Sequence, residues 1–210
     1  MNAEECRQMF LSVAAKMMDS EKMLTEIDEK IGDGDHGTGM ALGFRNVKKE
    51  LEQLGQVSIE EIFKTVGMTL LDTMGGASGV LFGTVFISGI SICEPHFEME
   101  LDGFAKIFRK SLDALKRRGK AKTGDKTMVD ALEPAVIALE EGAESGMMIS
   151  EGFRSAALAA KKGMEKTKEY KAKFGRAKYF GDNAVGYQDA GATSVWIIFQ
   201  EMSDWVEAHG

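Results

Sequence analysis

Two cysteines and two prolines are all that 210 residues contain, and the cysteines, Cys6 and Cys93, stand far apart without CxxC spacing. That spacing excludes a disulfide scaffold and a cysteine zinc site, and it suits a reducing compartment such as the cytoplasm. No run of eighteen apolar residues occurs, and MNAEECRQMF has neither a basic stretch nor an apolar core, so neither a membrane span nor a secretory signal is expected. A basic excess is missing too: the formal charge is -7, which argues against nonspecific nucleic-acid binding. The local basic patch K116-R-R-G-K-A-K122 reads as a solvated helix end. Length and a 44% hydrophobic content fit one domain covering residues 1–210.

Glycine, by contrast, is plentiful. Its 24 residues gather at 32–39, 75–83, 119–124 and 175–191, where the backbone must turn sharply or approach something closely. Between these clusters the spacing predicts helices. Apolar stripes at i, i+3 and i+4 run over 3–18 (Met9, Phe10, Val13, Ala14, Met17) and over 40–54 (Leu42, Val47, Leu51, Leu54). Ser58 and Glu61 make a capping box ahead of Ile62, Phe63, Val66 and Leu70. Further helices are expected at 102–118, 128–142, 150–169 (with Ser150 as N-cap) and 192–207. The segments 80–92 and 193–199 are apolar all round; without an alternating partner strand they read as buried helix. The fold class is all-α, about eight helices with glycine-rich loops at their ends.

The loop D28-E-K-I-G-D-G-D-H-G-T-G39 holds Asp28, Asp33 and Asp35 within eight residues. Carboxylates that close repel one another, and burial raises their pKa; a divalent cation with hard oxygen ligands, magnesium or calcium, removes the conflict. An exposed acidic turn is the plain alternative. An EF-hand is excluded, because the twelfth position is Phe44 counted from Asp33 and Gly39 counted from Asp28. Gly32, Gly34 and Gly37 satisfy G-x-G-x-x-G, but no strand precedes them and bare pyrophosphate would meet carboxylates. With cations between, carboxylates hold metal, metal holds phosphate, and the glycines admit the backbone. His36 then stands where it can donate to a phosphate oxygen.

In D72-T-M-G-G-A-S-G79, small residues before a helix start expose free N–H groups suited to an anion, and Ser78 adds a hydroxyl. Close helix packing is the competing reading of these glycines. In G119-K-A-K-T-G-D-K-T127 the extra Asp125 and the lack of a strand rule out a Walker A loop. The long 175–191 loop marks a binding segment, in which Arg176 can reach a phosphate.

Taken in order, I-G-D-G-D-H-G-T-G-M, G-M-T-L-L-D-T-M-G-G-A-S-G-V-L-F-G-T, G-D-K-T-M-V-D and G-R-A-K-Y-F-G-D-N-A-V-G-Y-Q-D-A-G-A-T-S resemble the nucleotide-binding L subunit, or L domain, of dihydroxyacetone kinases. The resemblance spans essentially the whole chain. It implies an eight-helix antiparallel barrel with the nucleotide, ADP or ATP, capping one end. It also implies that Asp28, Asp33 and Asp35 ligate two magnesium ions bridging the phosphates. By the same resemblance His36, Thr38, Gly39, Ala77 and Ser78 line the phosphates, and Gly119, Met128, Arg176, Asp189 and Gly191 supply further nucleotide contacts. Residue 39 is commonly asparagine in the family and residue 190 often proline, whereas here Gly39 and Ala190 stand there.

A free-standing chain of this length resembles the phosphotransferase-system form. There a phosphohistidine on a multiphosphoryl partner (M subunit) recharges bound ADP, and the phosphoryl passes to ketone on a separate K subunit. A homodimer is the expected state. An ATP-using L subunit for another ketose and a nucleotide-sensing module without turnover are the competing readings.

Overall fold

A computed structural model of the chain describes residues 1–90 and 95–209. Cys93 and the last two residues of the apolar 80–92 segment lie outside that description. The described residues form nine α-helices: α1 (Ala3–Asp19), α2 (Glu21–Asp28), α3 (His36–Gln53), α4 (Ile59–Thr73), α5 (Gly76–Ile87), α6 (Leu101–Gly119), α7 (Val129–Glu144), α8 (Ile149–Lys166) and α9 (Ala190–His209). Two 3-10 segments, Thr167–Glu169 and Arg176–Ala184, lie between α8 and α9.

Eight of the helices close into a ring. α1 packs on α3, each helix from α3 to α9 packs on the next, and α9 returns to α1. The short α2 stands outside this order, against α3. The connections α3–α4, α4–α5, α6–α7 and α7–α8 are short, so these neighbours run antiparallel, whereas longer segments join α1 to α3, α5 to α6 and α8 to α9. The loops after α2, α4, α6 and α8 therefore meet at one end, and these are the four glycine-rich stretches.

Phenylalanine fills the centre. Phe10 of α1 meets Phe63 of α4 edge-on at 5.0 Å between centroids. Phe63 meets Phe108 at 5.8 Å, Phe108 meets Phe199 at 5.1 Å, and Phe104 meets Phe153 at 5.5 Å. Each such pair adds about 0.5–1.5 kcal/mol beyond the area it buries. The chain of rings joins α1, α4, α6, α8 and α9 across the barrel, which fixes the relative heights of the loops above it.

Several boundaries differ from the sequence expectation. α3 begins at His36 rather than residue 40, so the glycine-rich stretch supplies the first turn of a helix as well as a loop. Its buried stripe is Met40, Phe44, Val47 and Leu51, whereas Leu42 is exposed. Ser58 does accept from the Glu61 N–H, at 3.2 Å. Ser150 is not the N-cap of α8: Met148 is, and its N–H donates to Glu151 at 3.0 Å. α2 was not anticipated, being too short to show an apolar period.

Candidate functional site

One cavity of about 590 Å³ opens at the glycine-loop end. Four helix starts face it: His36, Thr38 and Gly39 of α3; Gly75 to Ser78 at α5; Met128 before α7; Ala190 and Gly191 of α9. α3, α5 and α7 have no side-chain cap. The helix dipoles, and above all the open start of α5, therefore present partial positive charge to whatever enters, while Asp28 accepts the first N–H of α3 and Thr127 Oγ1 that of α7.

Against that positive lining stand three carboxylates. Oxygens of Asp28, Asp33 and Asp35 all lie within 4.8 Å of one another at the cavity wall. Asp28 ends α2, where the helix dipole disfavours a negative charge. It is held there by accepting the N–H groups of Gly34, at 2.9 Å, and His36, at 3.4 Å. Glycine is required around it: a Cβ on Gly32 would fall 2.1 Å from Asp28 Oδ1, and Gly34 has a φ of +77°. Burial raises the Asp35 carboxyl above its ordinary value; Asp33 and Asp28 add to this, and Arg176 opposes it. An all-oxygen set whose members disfavour one another's charge is the donor set that a hard divalent cation stabilises.

Arg176 Nη2 pairs with Asp33 at 2.8 Å, so the guanidinium sits on the cluster itself. His36 is buried, and its Nε2 lies 2.8 Å from the Ser194 hydroxyl. Burial lowers its pKa, with the Asp28 charge opposing, so the imidazole favours its neutral form. Asp189 is partly buried and caps α9, its Oδ2 accepting the Ala192 N–H at 2.8 Å. Burial pushes the Asp189 carboxyl up to about 7, with Asp130 and Asp28 adding to the effect while the Ala192 N–H and Lys126 oppose it.

Of the metal and nucleotide residues that the resemblance implies, all but Gly119 line the cavity; Gly32, Gly34 and Gly37 of the G-x-G-x-x-G stretch do not line it either. Gly119 closes α6 behind Leu81, which does line the cavity; a Cβ on Gly119 would meet Leu81 Cδ2 at 3.7 Å. Gly39 lies in the first turn of α3 with open space around it, and its N–H is already given to Asp35 O at 2.9 Å. The sequence reading missed the apolar half of the wall, namely Leu42, Met74, Leu81, Phe82 and Phe174, and it missed Lys126. Apolar residues at helix ends carry no signal of their own in a sequence. Lys126 did carry one, the G-D-K-T run, which was set aside because the motif it imitates needs a strand.

The DAK2 domain family matches residues 30–204, and the chain belongs to that family. It is 38% identical over 180 residues to the ADP-binding subunit of the PEP-dependent dihydroxyacetone kinase of Escherichia coli (strain K12), covering 86% of each chain. To the corresponding subunit of kinase 1 of Listeria innocua it is 35% identical over 187 residues, covering 89% of this chain and 88% of that one. The crystal structure of the dihydroxyacetone kinase from C. freundii, in complex with AMP-PNP and Mg2+, superposes with a TM-score of 0.73 at 26% identity. That match covers 94% of this chain and 33% of the kinase.

Proposed function

We propose that the chain is the nucleotide-carrying subunit of a dihydroxyacetone kinase of the phosphoenolpyruvate-dependent kind. It keeps magnesium-bound ADP, receives a phosphoryl group from a phosphohistidine partner, and passes it to a ketone held by a separate K subunit. The observation that carries this reading is the carboxylate triad set within 4.8 Å on the wall of a cavity faced by four helix starts. The 35–38% identity to ADP-binding subunits of PEP-dependent enzymes supports the choice of phosphoryl donor.

The residues present fit a magnesium nucleotide. Asp28, Asp33 and Asp35 would hold two magnesium ions, and the uncapped N–H groups at Ala77 and Ser78, with the Ser78 hydroxyl, would take phosphate oxygens. Thr38 and Arg176 line the same space, and Leu42, Leu81, Phe82 and Met128 give it apolar lining that would suit a purine. Bound magnesium and nucleotide supply a phosphoryl group whose charge is neutralised for in-line transfer, a reaction in which positioning carries most of the catalysis. The chain's part is to hold Asp28 rigid through Gly34 and His36, to aim helix starts at the anion, and to keep His36 neutral and tied to Ser194. No general base is required here, because the acceptor hydroxyl belongs to the partner's site.

Heat denaturation of purified protein followed by chromatography of what is released tests the reading. ADP is expected in the released fraction. The chain alone, given ATP and dihydroxyacetone, is expected to form no product until a K subunit is added. Protein that releases no nucleotide and shows no binding of magnesium ADP by calorimetry overturns the proposal.

A further inference from the structure

Lys126 is 1% exposed, an unusual place for an ammonium, and its φ is +59°. Lys120 also has a positive φ, but it closes α6, where a left-handed residue is ordinary. Lys126 closes no helix, so something else must hold its backbone in a sparsely populated region. Its loop is braced from within: Asp130 accepts the N–H groups of Gly124, at 2.5 Å, and Thr127, at 2.7 Å. The Lys126 side chain then reaches away from its own loop. Nζ donates to Thr167 O at 2.6 Å and to Tyr187 O.

Those two carbonyls are the two stems of one excursion. Residues 168–186 leave the barrel and return, and the base is closed by Gly186 N to Lys168 O at 2.7 Å. Asp125, next to Lys126, adds an outer tie: it pairs with Lys173 Nζ at 2.6 Å, and its carbonyl accepts the Lys173 N–H. Arg176 rides on this arm and reaches Asp33 from it. A side chain that ties both stems fixes where the arm points, and a charged donor makes each tie stronger than a neutral one.

We propose that Lys126 is a positioning residue: its buried ammonium clamps both stems of the 168–186 arm and so sets Arg176 over the carboxylate cluster and over a phosphate bound there. Lys126 acts through Arg176, and it transmits to the arm the rigidity that Asp130 gives to the 119–128 loop. The part concerning phosphate rests on the nucleotide reading above; the clamp does not.

The test uses Lys126→Met, Arg176→Ala and the double variant of the full chain. In Lys126→Met without nucleotide, amide exchange at Gly186 and Asp189 should rise about tenfold or more, while amides of α4 and α6 keep their protection. Release of a fluorescent ADP analogue in excess magnesium should be about tenfold faster in each single variant. The double variant should be little faster than either alone, because one route is being cut twice. Arm exchange unchanged in the Lys126 variant, or release rates that multiply in the double variant, overturns the proposal. Wild-type protein that binds no magnesium ADP overturns the nucleotide reading alone, and the exchange measurement still decides the clamp. Should Lys126→Met fail to fold, Lys126→Gln keeps two donors without the charge, and the same signs are expected at smaller size.

Discussion

At the end of the ring opposite the cavity, the starts of α1 and α4 are closed by side chains; at the cavity end α3, α5 and α7 have no such cap. Asn2 accepts the Glu5 N–H at 2.8 Å while Glu5 accepts the Asn2 N–H at 2.7 Å, a complete capping box on α1. Ser58 caps α4, and Glu60 at its first turn accepts both the backbone N–H of His96, at 2.8 Å, and its ring Nδ1, at 2.7 Å. The extended run 97–99 is pinned to the N-terminus through Ala3 N to Phe97 O, at 2.8 Å, and Met99 N to Met1 O, at 2.9 Å. α6 and α8 start there without a bond from the N-cap side chain, although on α8 the Glu151 carboxylate accepts the Met148 N–H. At the cavity end three of the four starts are uncapped and three carboxylates crowd together. One end satisfies its polar groups for stability; the other keeps its donors and acceptors available to a ligand, as polar groups at functional sites often are.

The largest effect should come from breaking the open end. Asp33→Ala or Asp35→Ala is expected to weaken magnesium-dependent ADP binding about a hundredfold or more, near 2.7 kcal/mol, as titration calorimetry would show. Unfolding of the empty protein should be unchanged or shifted upward for Asp35→Ala, because burial, and then Asp33 and Asp28, disfavour that charge. A fall in apo stability equal to the fall in affinity would erase the distinction between the two ends.

Next in size is an attack on the closed end. Burial raises the Glu60 carboxyl, but hydrogen bonds from the His96 N–H and ring outweigh it and hold the group below its ordinary value. A depressed carboxyl contributes stability above its unfolded pKa of about 4.3 and loses it as pH falls through the folded value. Glu60→Gln should therefore cost about 1–3 kcal/mol at neutral pH, and the gap to wild type should narrow below about pH 4. Denaturant melts across pH measure this. ADP release should stay at the wild-type rate.

The smallest effect refines the open end. Gly39 has a helical φ and open space around it, so asparagine would fit there without strain. Its own N–H is given to Asp35 O, which leaves glycine with nothing to offer a phosphate. Gly39→Asn should slow ADP release about tenfold, near 1.4 kcal/mol, since the amide can reach an anion. Release as fast as wild type would place the residue 39 side chain away from the phosphates.

Most of the fold was readable because apolar spacing was strong: α1, α6, α7 and α9 begin and end within two residues of where the period places them. α3 was misjudged because a residue like Gly37 looks like a loop former, whereas here it admits α2. A Cβ on it would fall 2.2 Å from the Glu21 carbonyl oxygen. That is a tertiary reason, invisible to a propensity argument. In the site, carboxylates and glycines announced themselves by type and spacing. Lys126 stood in a visible G-D-K-T run, but its role did not show there, because it depends on carbonyls 41 and 61 residues away.

The pairing of Arg176 with Asp33 bears on how the protein behaves between turnovers. With that guanidinium in place, one of the three negative charges already has a counter-ion before any metal arrives. Arg176 is largely exposed, at 71%, and Asp33 is about a third exposed, at 35%, so the pair is worth little and resists displacement little. Under the proposed function, an incoming cation would replace one counter-ion by another rather than charge an unprotected cluster. The arginine so displaced would be free for the anion that follows. A vacant subunit then remains folded, and loading it should raise its melting temperature only by mass action, not by rescuing an unfolded chain.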